Sequence, residues 1–128
     1  MFADGRTIAL VAALGAAVSG FVARADEVDD LFRAAAEHYS QRQWQAACDD
    51  FAKLLATAPD DARATQVRFH YGEGLVQLKR YADARAQFDA VLERDPAGKF
   101  ARQALYRSGE AAYLAGVLTE QERLAFED

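Results

Sequence analysis

The chain has 128 residues, 15 Lys and Arg against 20 Asp and Glu, and a formal charge of −5, with 52% apolar and 27% charged residues. That is the composition of one small globular domain and not of a disordered segment. The acidic balance, without a Lys/Arg cluster, argues against a nucleic-acid surface. Two prolines and eight glycines leave little material for β-turns, and abundant Ala, Leu, Arg, Glu and Gln favour helix.

The run 7–22 is almost wholly apolar or small, follows Arg6, and ends at Ala23-Arg24-Ala25 before Asp26-Glu27. This is the layout of a secretory signal peptide. The run is shorter than the roughly 20 residues a spanning helix needs, so cleavage after Ala25 is expected rather than anchoring. The expected organisation is a signal segment over 1–25 and a helical domain over 26–128. The expected location is the periplasm or the exterior, with no stable membrane span after cleavage.

Beyond this segment, Val28, Leu31, Phe32, Ala35 and Tyr39 recur at helical spacing, predicting a first helix over 26–41 with acidic residues at its start. A second, over 44–56, carries Ala47, Phe51, Leu54 and Leu55 on one face and stops before Pro59. The short linker 40–43 predicts an antiparallel hairpin. Asp60 is the expected cap of a third helix running to about 78, with Val67, Phe69, Tyr71, Leu75 and Val76. A fourth spans 81–94 and closes at Pro96; a fifth starts near 99 and ends before Gly116; a short sixth covers 119–127.

These elements repeat. Trp44, Ala47, Phe51, Leu55 and Pro59 are matched 37 residues on by Tyr81, Ala84, Phe88, Leu92 and Pro96. In the odd-numbered helices Phe32, Phe69 and Tyr106 keep that interval, as do Ala35, Gly72 and Gly109. A fixed interval of this kind marks a unit that buries its apolar face by stacking on copies of itself. Glycines in mid-helix cost about 1 kcal/mol relative to alanine, so close helix approach is the expected reason for Gly72 and Gly109. The third unit departs at its end, with Gln121 in place of the alanine, Ala125 in place of the aromatic and no proline.

The array Gly72-Glu73, Tyr81, Ala84, Phe88, Pro96 resembles the tetratricopeptide repeat over nearly all of the chain past Ala25. Ala104-Leu-Tyr106-Arg-Ser-Gly109-Glu110-Ala-Ala-Tyr113 is similar to the first helix of its bacterial envelope-associated subset. Arg68 departs from the pattern, standing where Leu31 and Leu105 occupy the equivalent site. The resemblance implies an all-α fold, a right-handed solenoid of antiparallel hairpins with about two and a half repeats over 28–61, 65–98 and 102–128. It also implies a concave groove for a protein partner from the cell envelope, lined or bordered by Phe32, Tyr39, Phe69, His70, Glu73, Tyr106, Arg107, Glu110 and Tyr113. The competing reading is that the aromatics fill space between hairpins. The repeat-packing set is Trp44, Ala47, Phe51, Leu55, Pro59, Gly72, Tyr81, Ala84, Phe88, Leu92, Pro96 and Gly109.

His38, His70 and Cys48 show no ligand spacing, no phosphate loop or nucleophile–base set can be assembled, and acidic residues fall on polar faces. No metal, cofactor or catalysis is expected, and the lone Cys48 reads as a buried, inert thiol. Two functions follow: an exported adaptor that binds a partner segment, or a module that forms homo-oligomers through its incomplete last repeat.

Overall fold

The structure is a computed structural model that describes residues 24–127, so the expected signal run 7–22 lies outside the described residues. All regular structure among the described residues is helical: α1 over 24–40, α2 Trp44–Thr57, α3 Ala64–Gln77, α4 Tyr81–Arg94 and α5 Ala101–Glu127. Successive helices α2 to α5 pack on one another in chain order. No helix of the described residues is long and apolar enough to cross a membrane.

The 37-residue interval extends to the backbone. Arg42 and Lys79 both adopt positive φ, 59° and 60°. After α1, Gln43 N–H donates to the His38 carbonyl at 2.9 Å, and after α3, Arg80 N–H donates to the Leu75 carbonyl at 2.9 Å. These six-to-one bonds around a left-handed residue satisfy the last carbonyls of each helix and turn the chain sharply. Glycine is the usual occupant, and neither position has it. The other two links also match: Ala58 has φ −140° and ψ 68°, Asp95 φ −142° and ψ 64°. Each precedes a proline, whose ring excludes helical geometry at that residue.

Two apolar clusters form the core. One joins Val28 and Ala35 of α1, Ala47, Phe51 and Leu54 of α2, and Val67 of α3. The other joins Cys48, Phe69, Leu75, Ala84, Phe88, Val91, Ala104 and Ala111. The first cluster thus joins α1, α2 and α3, the second α2, α3, α4 and α5, and Tyr71 packs against both. Of the repeat-packing set, Ala47, Phe51, Ala84 and Phe88 are buried, Trp44, Leu55, Tyr81 and Leu92 half-buried, and Pro59 and Pro96 exposed in the links.

The two mid-helix glycines differ. A Cβ at Gly72 would lie 2.6 Å from the ring of Phe88, which is fully buried. Gly72 therefore makes room for a phenyl ring on the facing helix. A Cβ at Gly109 would meet nothing within 4 Å, and Gly109 is exposed, so it has no packing role within the chain. Gly74 makes a contact the repeat did not signal: a Cβ there would stand 2.7 Å from Cys48 Sγ.

Two further expectations are corrected. Asp60 does not cap α3, which starts at Ala64 without a side-chain cap. Asp61 instead orders the turn, accepting from Arg63 N–H at 2.9 Å and Arg63 Nε at 3.0 Å. The fifth and sixth helices are one, because α5 runs unbroken through Gly116 for 27 residues. Nothing in that stretch forces a break: glycine costs a helix about 1 kcal/mol, but only proline removes its hydrogen bond and clashes with the preceding turn. Arg68, at its apolar position, is buried and donates to the Pro59 carbonyl at 3.2 Å. Burial, with the Arg94 charge, lowers its guanidinium pKa.

Substituting the glycines separates the two roles. Gly72→Ala is expected to lose about 1–3 kcal/mol of stability, since overpacking against a locked ring outweighs the propensity gain. Gly109→Ala should instead gain about 0.5–1 kcal/mol. Urea unfolding read by circular dichroism measures both, and equal effects at the two positions would contradict the packing described.

Candidate functional site

The first helix of each hairpin and α5 contribute to one side of the molecule, where two hollows meet. The larger, about 790 Å³, is lined by Glu73, Arg102, Gln103, Tyr106, Arg107 and Glu110. The smaller, about 150 Å³, is lined by Tyr39, Trp44, Glu73, Val76, Gln77 and Arg107. Glu73 and Arg107 belong to both and form the centre of the cleft.

Glu73 is positioned by two helices. Its Oε2 accepts from the Tyr39 hydroxyl of α1 and from His70 Nδ1, 3.4 Å away one turn earlier in α3. The His70 and Tyr39 rings lie 4.9 Å apart between centroids, and the Trp44 ring meets Tyr39 edge-on at 5.4 Å. Burial alone would raise the Glu73 pKa; hydrogen bonds from His70 and Tyr39, with the His70 and Arg107 charges, hold it below its ordinary 4.5. Burial, then the hydrogen bond to Glu73 and its charge, push the Tyr39 phenol up. Arg107 Nη1 pairs with Glu110 Oε2 at 3.1 Å, whereas Arg102 has no carboxylate within ion-pair distance among the described residues. At neutral pH the cleft thus presents a fixed carboxylate, a neutral phenol and two guanidinium groups. Such a set orients the polar groups of a ligand and leaves Glu73 without a proton to donate.

Of the residues expected to border a groove, the structure brings Tyr39, His70, Glu73, Tyr106, Arg107 and Glu110 together. Phe69 is corrected: it is 3% exposed and stacks on Phe100 at 5.1 Å within the core. Phe32 is corrected too, since it packs in the first cluster under the Arg63 guanidinium, 4.7 Å from the ring centroid. Tyr113 is exposed on α5 and lines neither hollow. Sequence reasoning missed Arg102, Gln103, Val76 and Gln77, and read Trp44 for packing alone. Helical spacing was the available signal: Arg102 and Gln103 stand four and three residues before Tyr106, and Gln77 four after Glu73.

The remaining chemistry-bearing residues lie elsewhere. His38 Nδ1 bonds Asp50 Oδ2 at 2.6 Å, tying α1 to α2. Cys48 is buried, and burial pushes its thiol up to about 11, so it stays protonated at neutral pH and lacks the thiolate a nucleophile needs. Among the described residues no three His, Cys, Asp or Glu side chains are grouped to hold a metal ion. No protein-family model, no curated protein and no solved structure matches the chain.

The depressed Glu73 pKa has a signed consequence. The stability it contributes is fully present above its ordinary 4.5 and is lost as pH falls through the lower folded value. Glu73→Gln is expected to flatten this acid-side loss while leaving a residual slope from Asp61, whose pKa hydrogen bonds from Arg63 also lower. Thermal melts across the acid range compare the two chains, and superimposable stability–pH curves would contradict the role given to Glu73.

Proposed function

We propose that this protein is a non-catalytic, exported adaptor of the tetratricopeptide type, binding a segment of another cell-envelope protein along the cleft centred on Glu73 and Arg107. The observation that carries the reading is the convergence of α1, α3 and α5 on that cleft, with Tyr106 72% exposed at its edge. Exposed aromatic and arginine side chains around an ordered charged centre suit a protein partner, because they offer contact area and directed hydrogen bonds with few rotamers to freeze. The solenoid reading is supported by the shared interval of side chains, left-handed turn residues and pre-proline links. Export is supported by the run 7–22 and the Ala23-Arg24-Ala25 junction. The non-catalytic reading is supported by the mutual commitment of the cleft's ionisable groups, Glu73 to Tyr39 and His70, and Arg107 to Glu110.

The test is capture from bacterial envelope extract with the full chain and with a Tyr106→Ala, Arg107→Ala variant. Neither side chain is in the core, so melting temperature should hold. Recovery of the partner should fall at least about tenfold, the loss expected when two central contacts are truncated. Equal recovery by both chains would remove the cleft as the binding site, and turnover in a broad hydrolase screen would remove the non-catalytic reading.

A further inference from the structure

α5 is 27 residues long and its neighbour α4 only 14. Its first half packs on the body through Ala101, Ala104, Ser108 and Ala111. Beyond Leu118, residues 119–127 are all exposed. A helical stretch with no packing neighbour is marginal in water. On the side of α5 turned away from the body lie Tyr106, 72% exposed, Tyr113, 72%, Val117, 37%, and Leu124, 48%. At 3.6 residues per turn these four fall within about 20° of one line along the helix.

Their spacing of seven, four and seven residues reads the same in both directions and is centred on position 115. We propose that this stripe is the interface of a homodimer in which two α5 helices pair antiparallel about a twofold axis level with residue 115. The operation sets Tyr106 of one copy against Leu124 of the other, and Tyr113 against Val117, so each ring faces a smaller aliphatic side chain. A surface that is its own complement under a twofold rotation is what an isologous dimer requires.

The charges fit the same arrangement. Arg102, which has no carboxylate within ion-pair distance among the described residues, comes within one residue of the level of Glu127 of the second copy, on the same flank of the stripe, where Glu127 also pairs with Arg123 of its own chain at 2.5 Å. Glu110 and Glu120 lie on opposite flanks and so face Gln121 and Gly109 of the second copy, not each other. Gly109 and Gly116 border the stripe, and nothing lies within 4 Å of a Cβ at either, which leaves room for close approach. A parallel pair would oppose ring to ring and bring both Arg102 side chains to one level. The pairing supplies the neighbour that 119–127 lacks.

This inference does not rest on the adaptor reading: the deciding positions Tyr113 and Val117 line neither hollow, and only Arg102 borders the larger one. Sedimentation of the full chain should show a concentration-dependent dimer. Tyr113→Glu with Val117→Glu should raise the dissociation constant at least about 100-fold by placing charges in the apolar contact, with helix content by circular dichroism unchanged. Phe126→Ala, at an exposed position off the stripe, should leave the dimer intact. Arg102→Glu should weaken the dimer several-fold, and adding Glu127→Arg should restore it. A full chain that sediments as a monomer at its highest attainable concentration overturns the proposal, as does a dimer that survives the paired glutamates. A charge exchange that gives no recovery overturns the antiparallel register.

Discussion

The packing of Phe88 against Gly72 is the constraint on which the rest of the structure depends. The phenyl ring is fully buried because the facing helix lacks a side chain where the ring lies. That close contact draws α4 onto α3, and α5 then closes the hairpin through Ala104 and Ala111. Phe51 and Ala35 share the other cluster, which Val67 of α3 completes. Each cluster thus draws on at least three helices to exclude water. The position of the cleft follows: when the helices stack in chain order, Tyr39, Glu73 and Arg107 from α1, α3 and α5 arrive on one side.

Much of this was legible because the interval of 37 residues is carried by side chains whose roles are steric. Ala47, Phe51, Ala84 and Phe88 state which face is buried, and Pro59 and Pro96 state where helices must stop. The turns at Arg42 and Lys79 were not legible, because nothing about an arginine or a lysine announces positive φ; only the length of the link required something of the kind. The fate of Gly116 could not be read locally either. A glycine ends a helix when the chain can gain elsewhere by turning, and the third unit lacks the alanine, aromatic and proline that reward the turn.

The cleft was partly legible for a related reason. Residues at one register position share a face, which grouped Glu73 with Glu110 and Tyr106 with Phe69. Yet depth along the stack changes from unit to unit. Phe69 lies between α3, α4 and the start of α5 and is covered by Phe100 and Phe88, while Tyr106, on the last helix of the described residues, is 72% exposed. Equivalent positions therefore split into core and surface, a distinction that depends on neighbours and not on the residue itself. The Tyr39–Glu73 bond was beyond sequence reasoning altogether, since 34 residues separate the partners and they do not share a register position.

Cys48 carries a consequence of a different kind. Its sulfur fills the space left by Gly74 on the adjoining helix, protonated and out of solvent. It can meet an alkylating reagent only when α2 and α3 part, so its labelling under native conditions would time the breathing of that one seam. The protein thus carries an internal clock for the parting of α2 from α3.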